Sequence, residues 1–397
     1  MKGYEKLKVP HVLFGIDTAK QTGLKAKSIG MSKCLVVTDK GIRDIGLVDP
    51  ILETLKRESI EYIVYDKVLP NPPDYSCIEA GELLKSEQCD GIIAIGGGSS
   101  LDTAKVANLI ANIPEKIEDL HDYSMTGSKM NPAFTPYTKL IAIPTTSGTG
   151  AEATCTGVIT DTKKDLKYSI GNENCVPDMC IIDPLLTIGM PAMPTAICGI
   201  DVLCHVLENM VGMGQNDYTD AIMYECASKA WKWLPIAVKE PRNIEARSQV
   251  SWASHNALCN GVSVNGHAMA HGIGAKYHLV HGHACAVVIP AVIRHHALTS
   301  QEAIKRIATI MGIPVVEDAE TIAKRVADRF VEFYKALGLK TIQETFKEQG
   351  VEDSFEMFVE KVAPATLDDF KSRLWQPPIH DNPETMRKVL EMIYYQE

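Results

Sequence analysis

Residues 91–110 read GIIAIGGGSSLDTAKVANLI. The first five are apolar without alternation, which predicts a strand buried on both faces of a parallel sheet. That run enters Gly96-Gly97-Gly98-Ser99-Ser100, and a helix is predicted from Leu101 through Ile110. Three glycines let the backbone turn and approach a ligand with no Cβ in the way. Free N–H groups at the start of the next helix favour an anion, and Ser99 and Ser100 add hydroxyls. Strand, glycine loop and helix in this order predict a phosphate-binding turn; the plainer alternative is a tight turn with no ligand. The spacing is not GxGxxG, so the usual dinucleotide fingerprint does not apply.

Similar apolar runs flank this stretch: CLVVT at 34–38, YIVY at 62–65, LIAI at 140–143 and MCII at 179–182. Amphipathic segments such as Asp49 to Arg57 and Ser76 to Ser86 lie between them. The alternation predicts an N-terminal α/β domain, residues 1–185, with a doubly wound parallel sheet. After about Pro184 the strand signal fades. Segments 195–210, 218–234, 244–260, 301–311, 319–337 and 383–394 read as helices, the first capped by Thr195. The C-terminal domain, 186–397, is therefore predicted to be all-α. No linker tract separates the two, so a ligand cleft between them is expected. A length of 397 residues agrees with two or three domains at roughly 150 residues each.

Composition excludes several classes. Forty basic residues against fifty acidic ones give a net charge of −10, a poor match for nucleic acid or an anionic membrane. No run approaches the ~18 apolar residues of a membrane span, and the N-terminus lacks a signal-peptide pattern. Eleven cysteines, an odd number with no CxxC, read as free thiols of a cytoplasmic protein, most of them small buried hydrophobes.

Asp39 closes the strand CLVVT, where a carboxylate often holds the ribose hydroxyls of a dinucleotide. It would repel a 2′-phosphate and so favour NAD; an aspartate at an ordinary turn is the alternative. PTTSGTGAEAT at 144–154 also follows a strand and suits a second polar loop.

Histidine placement carries the chemistry. Eight of the twelve fall between 255 and 296. His267 and His271 are four apart and share a helix face, and His281 follows a break containing Gly272 and Gly274. Asp201 and His205 form another i, i+4 pair. Two such pairs can converge on one divalent cation. Spacing offers five candidates for about four ligand positions and does not say which is left out. Ala268 stands where HExxH needs its glutamate, which argues against a metalloprotease.

GGGSSLDTAK at 96–105, PTTSGTGAEAT at 144–154, IIDPLLTIGMPAMPTAICGIDVLCH at 181–205 and HAMAHGIGAKYHLVHG at 267–282 together resemble the iron-containing (group III) alcohol dehydrogenase family. The resemblance spans nearly the whole chain. It implies a dinucleotide-binding domain followed by a helical metal domain, the dehydroquinate synthase-like arrangement. It implies that Asp201, His205, His267 and His281 bind Fe²⁺ or Zn²⁺, with His271 nearby as a proton relay. It gives NAD to Gly97, Gly98, Ser99 and Asp102, with Thr145, Thr146 and Leu186 alongside. Asp39 matches the position tied to NAD preference; Asn71 and Lys167 match positions near the cofactor. The implied activity is hydride transfer between NAD(H) and a small primary alcohol, diol or aldehyde, in a homodimer or larger homo-oligomer. A zinc-dependent glycerol-type dehydrogenase and a dehydroquinate synthase-like lyase are the alternatives on the same scaffold. The chain departs from the family pattern at Gly272, Val280, His283 and Cys285, and at Leu258, Cys259 and Asn265 near the substrate.

Overall fold

The structure is a computed structural model that describes residues 8–124, 127–129, 131, 133–164, 166–212, 216–259, 265–371 and 383–396. The chain divides into two compact units, one ending at Gly189 and the next beginning at Met190.

The first unit is built on six parallel strands: β1 (His11–Phe14), β2 (Lys33–Val37), β3 (Glu61–Tyr65), β4 (Gly91–Gly96), β5 (Lys139–Pro144) and, after a hairpin, β8 (Met179–Ile182). The hairpin pairs β6 (Thr156–Asp161) with β7 (Leu166–Gly171) in antiparallel fashion. The sheet order is β1-β8-β5-β4-β2-β3. Alternate side chains enter separate cores. Leu35, Val37, Ile92 and Ala94 pack on one face with the helices Asp74–Ser86 and Gly98–Ile110. Cys34, Val36, Ile93 and Ile95 pack on the other with Asp49–Arg57. Both faces are covered, as the unbroken apolar runs require. The chain leaves β2 toward β3 but leaves β4 toward β5, on the opposite side. The switch point therefore lies between β2 and β4, and ligands of open α/β sheets bind at the C-terminal ends of such strands. Those ends carry Asp39 and the 96–100 glycine loop.

The second unit is helical. Its elements include Ala192–Val211, Asp217–Lys239, Ile244–Cys259, Asn265–Tyr277, His281–His295, Ala319–Ala336 and Phe355–Lys371, around one core. Three readings of the sequence are corrected here. Pro191, not Thr195, is the N-cap of the first helix. Thr195 is buried in the first turn, where its hydroxyl donates to Pro191 O at 2.8 Å and accepts from Arg247 Nη1 at 2.9 Å. The second helix does not stop before Pro235 but runs to Lys239. Burial of Leu234 and Ala237 in the core offsets the proline cost of about 3 kcal/mol. The helix bearing His267 and His271 runs through Gly272 and Gly274 to Tyr277, and the turn falls at His278, whose φ is +55°. Gly272 serves packing instead: a Cβ there would meet Thr366 Oγ1 at 2.8 Å and Val362 O at 3.1 Å. Among the described residues no helix is long and apolar enough to cross a membrane.

Candidate functional site

The glycine loop is held by close approach. Gly96 has φ +150°, and a Cβ there would collide with Ser100. A Cβ on Gly98 would lie 2.9 Å from Thr149, so the 144–154 segment packs directly on the loop. Gly97 is the N-cap of the helix Gly98–Ile110, and no side chain caps it, which leaves first-turn N–H groups for a ligand. Thr145 N–H donates to Gly96 O at 2.9 Å. Thr145 Oγ1 is buried and has no hydrogen-bond partner among the described residues. An uncapped helix start, a loop without Cβ atoms and an unmatched hydroxyl fit a dinucleotide phosphate.

Asp39 serves two purposes. Its Oδ1 accepts from Ile42 N–H at 3.0 Å, capping the helix Lys40–Asp44, and Ser100 Oγ donates to its Oδ2 at 3.4 Å. The turn reading therefore holds, and the same carboxylate also meets the glycine loop through Ser100. Ser99 lies in the first turn, its carbonyl accepting from Thr103 Oγ1 at 2.8 Å. Asp102 accepts from Val158 N–H at 3.1 Å and pairs with Lys105 Nζ at 3.2 Å. Burial pushes its carboxyl up and Lys105 opposes the shift. Lys105 also donates to Ala151 O at 2.9 Å, which ties the helix to the 144–154 segment. Thr146 is the nearest neighbour a Cβ on Gly97 would meet, at 3.5 Å. Asn71, in the left-handed region at φ +50°, accepts from Lys167 Nζ at 2.9 Å. Leu186 lies in the turn Pro184–Thr187 and packs against the sheet face that Asp49–Arg57 covers.

In the second unit, Asp201, His205 and Glu208 lie at i, i+4 and i+7 on the helix Ala192–Val211. His267 and His271 come from Asn265–Tyr277, and His281 opens His281–His295. The start of that last helix is pressed against Ile197: a Cβ on Gly282 would overlap Ile197 O and lie 3.0 Å from its carbonyl carbon. Only glycine permits this approach, which sets His281 beside Asp201. Asp201 Oδ1 is 3.3 Å from His267 Nε2, 3.5 Å from His281 Nε2 and 3.9 Å from His205 Nδ1. The His205 and His267 rings stack at 4.2 Å, and His271 lies 5.0 Å from His281, ring to ring. All five sequence candidates therefore meet.

Sequence reasoning passed over Glu208, although its i+7 spacing from Asp201 marks the same helix face. Its carboxylate receives N–H bonds from Gly266 and His267 and lies 2.5 Å from His267 Nδ1. A carboxylate only accepts, so Nδ1 carries a proton, and Nε2 faces Asp201 either as a second N–H or as a lone pair open to a cation. Without that second proton, two acceptors 3.3 Å apart repel unless a cation lies between them. The titration directions agree. Burial would raise Asp201, yet the His205, His281 and His267 rings hold it far below the usual carboxylate range. Burial would lower His267, yet Cys285, Glu208 and Asp201 hold it well above its ordinary value. The site demands positive charge. Nitrogen and oxygen donors about 2.0–2.1 Å from one cation at tetrahedral angles are ~3.3 Å apart, which the Asp201–His267 separation of 3.3 Å matches and the Asp201–His281 separation of 3.5 Å approaches, while His205 stands wider at 3.9 Å. The donor set fits a divalent metal.

Other histidines stand elsewhere: His283 Nε2 is 2.7 Å from Lys340 O, and His296 Nδ1 is 3.2 Å from Thr299 Oγ1. Leu258 and Cys259 end the helix Ile244–Cys259 and are half-buried. Asn260 and the side chain of Asn265 lie outside the described residues.

The sequence model described as iron-containing alcohol dehydrogenase matches residues 10–184, and that of the family's C-terminal domain matches 195–394. The chain belongs to the iron-containing alcohol dehydrogenase family. This family member is 32% identical over 400 residues to a choline dehydrogenase of Bacillus subtilis (strain 168), covering 99% of the chain and 95% of that protein. It is 36% identical over 313 residues to a 1,3-propanediol dehydrogenase of Citrobacter freundii, covering 77% and 78%. The structure of an alcohol dehydrogenase from Oenococcus oeni aligns with a TM-score of 0.86 at 27% identity, covering 99% of the chain and 100% of that protein. Membership in the iron-containing alcohol dehydrogenase family makes the chain an oxidoreductase of alcohols and aldehydes that works with NAD(H) and a divalent metal.

Proposed function

We propose that the second unit holds the metal, Fe²⁺ or Zn²⁺, on Asp201, His205, His267 and His281, and that the first unit holds NAD(H) on the 96–100 loop. Gly97, Gly98, Ser99 and Asp102 hold the cofactor with Thr145, Thr146 and Leu186 alongside, Asp39 faces the ribose, and Asn71 and Lys167 lie toward the active site. The observation that carries the metal assignment is the convergence of His267 Nε2 and His281 Nε2 on Asp201 Oδ1 at 3.3 and 3.5 Å. When bound, the divalent ion acts as a Lewis acid on a substrate oxygen, and the nicotinamide gives or takes the hydride.

The protein residues do the rest. Glu208 keeps the His267 proton on Nδ1 and turns Nε2 inward. Asp201 carries the site's negative charge, buried at 2% exposure. His281 is the open side of the group, its side chain 28% exposed, and His271 lies beside it. His271 takes up the proton of the alcohol and passes it to solvent. Asp39 accepts from ribose hydroxyls and disfavours a 2′-phosphate.

The substrate we propose is a short primary alcohol or diol, or its aldehyde. Choline and 1,3-propanediol, in the names of two relatives, share a primary hydroxyl on a short chain. Eleven free cysteines support a cytoplasmic setting, and the family resemblance supports a homodimer or larger homo-oligomer. An anaerobic screen of NADH oxidation over short aldehydes, after reconstitution with iron and with zinc, tests the reading. Turnover that depends on added metal is expected; NADH oxidation equal in metal-free protein would remove the metal from the reaction.

A further inference from the structure

One turn beyond His281, Cys285 faces the same group. Its Sγ lies 3.7 Å from His281 Nε2 and 4.0 Å from Nδ1. The residue is 1% exposed. Its sulfur and one donor atom each from Asp201, His267 and His281 all lie within 4.8 Å of one another. The sulfur thus joins three of the four donors assigned to the metal above, and His205 Nδ1 stands 3.9 Å from Asp201 Oδ1. A sulfur about 2.3 Å and a nitrogen about 2.0–2.1 Å from the same ion, at tetrahedral angles, are ~3.6 Å apart. The separation from His281 Nε2 is that of two ligands sharing one ion.

We propose that Cys285 is a metal ligand in this chain. The inference rests on the metal reading of Asp201, His267 and His281. As the sulfur–metal bond forms, the thiol proton is released to solvent. A soft thiolate among imidazoles biases the site toward zinc over metals that favour hard oxygen ligands.

Anaerobic loading of the full-length, metal-free protein with Co²⁺ tests the assignment by absorption. Expected are visible d–d bands together with a near-ultraviolet cobalt–thiolate charge-transfer band. Cys285→Ser keeps the visible bands, loses the near-ultraviolet band and releases metal to a chelator at least about 10-fold faster. Cys204→Ser, which removes a buried thiol on the Asp201 helix, keeps both sets of bands. Visible bands without the charge-transfer band in the unaltered protein overturn the Cys285 assignment and leave the metal centre standing. Absence of both overturns the metal reading as well. A charge-transfer band that survives in Cys285→Ser also overturns the assignment. The spectrum of the unaltered protein decides even if the variant fails to fold.

Discussion

Glu208 Oε2 lies 2.5 Å from His267 Nδ1, while the opposite ring nitrogen of His267 lies 3.3 Å from Asp201 Oδ1. One imidazole is thus clamped between two carboxylates from the same helix. Glu208→Gln removes the charge that fixes the tautomer while preserving shape. Metal affinity is expected to fall about 10–100-fold. Chelator competition measures it, and an unchanged affinity would show that Glu208 only caps the helix start at Gly266.

His267 and His271 sit one turn apart yet have different tasks. His267→Ala is expected to lose metal and nearly all turnover while NADH still binds, read by metal analysis and NADH fluorescence. His271→Ala is expected to retain metal and to slow the reaction, with a changed pH profile. Metal loss in His271→Ala would exchange the two assignments.

Asp39→Gly is expected to let NADPH compete with NADH, seen as a fall in the ratio of the two kcat/KM values. Because Asp39 also caps Lys40–Asp44, Asp39→Ala should cost about 1 kcal/mol of stability and Asp39→Gly only a few tenths. Thermal melts of the two variants separate cofactor preference from capping. An unchanged cofactor ratio would leave Asp39 a cap alone.

His267 titrates well above its ordinary value in the metal-free protein: burial opposes the shift, and Cys285, Glu208 and Asp201 drive it. A raised histidine adds stability that is complete below about pH 6.5 and is lost as pH rises through the folded-state value. The melting advantage of metal-free protein over His267→Gln should therefore shrink as pH rises from about 6. Metal and proton compete for the same nitrogen, so metal affinity should climb over that range. An advantage that grew with pH would contradict the charge assignment.

The sheet was legible because its central strands are continuous apolar runs, GIIAI and LIAI among them. β6 and β7 escaped the same reading. TGVITD is buried only at alternate positions, so it shows no such run, and β1 is a four-residue strand with exposed Val12 and Phe14. The histidine and aspartate spacings named residues that the fold brings together, since i, i+4 pairs on helices must share a face. Glu208 and Cys285 were harder to read. Each matters through a partner 59 or four residues away, and only packing shows which of many glutamates and cysteines meets a histidine.

The contact of Gly282 with the Ile197 carbonyl has a mechanical corollary. His281 reaches Asp201 only when the two helix starts are docked, so an ion in this centre would act as a rivet across that seam. Stripping the ion should let the seam breathe, and amides at 281–285 should gain hydrogen exchange ahead of the rest of the unit's core. A methyl group at position 282 would wedge the seam apart from within. Gly282→Ala should therefore mimic chelation, with metal retention lost although no ligand has been touched.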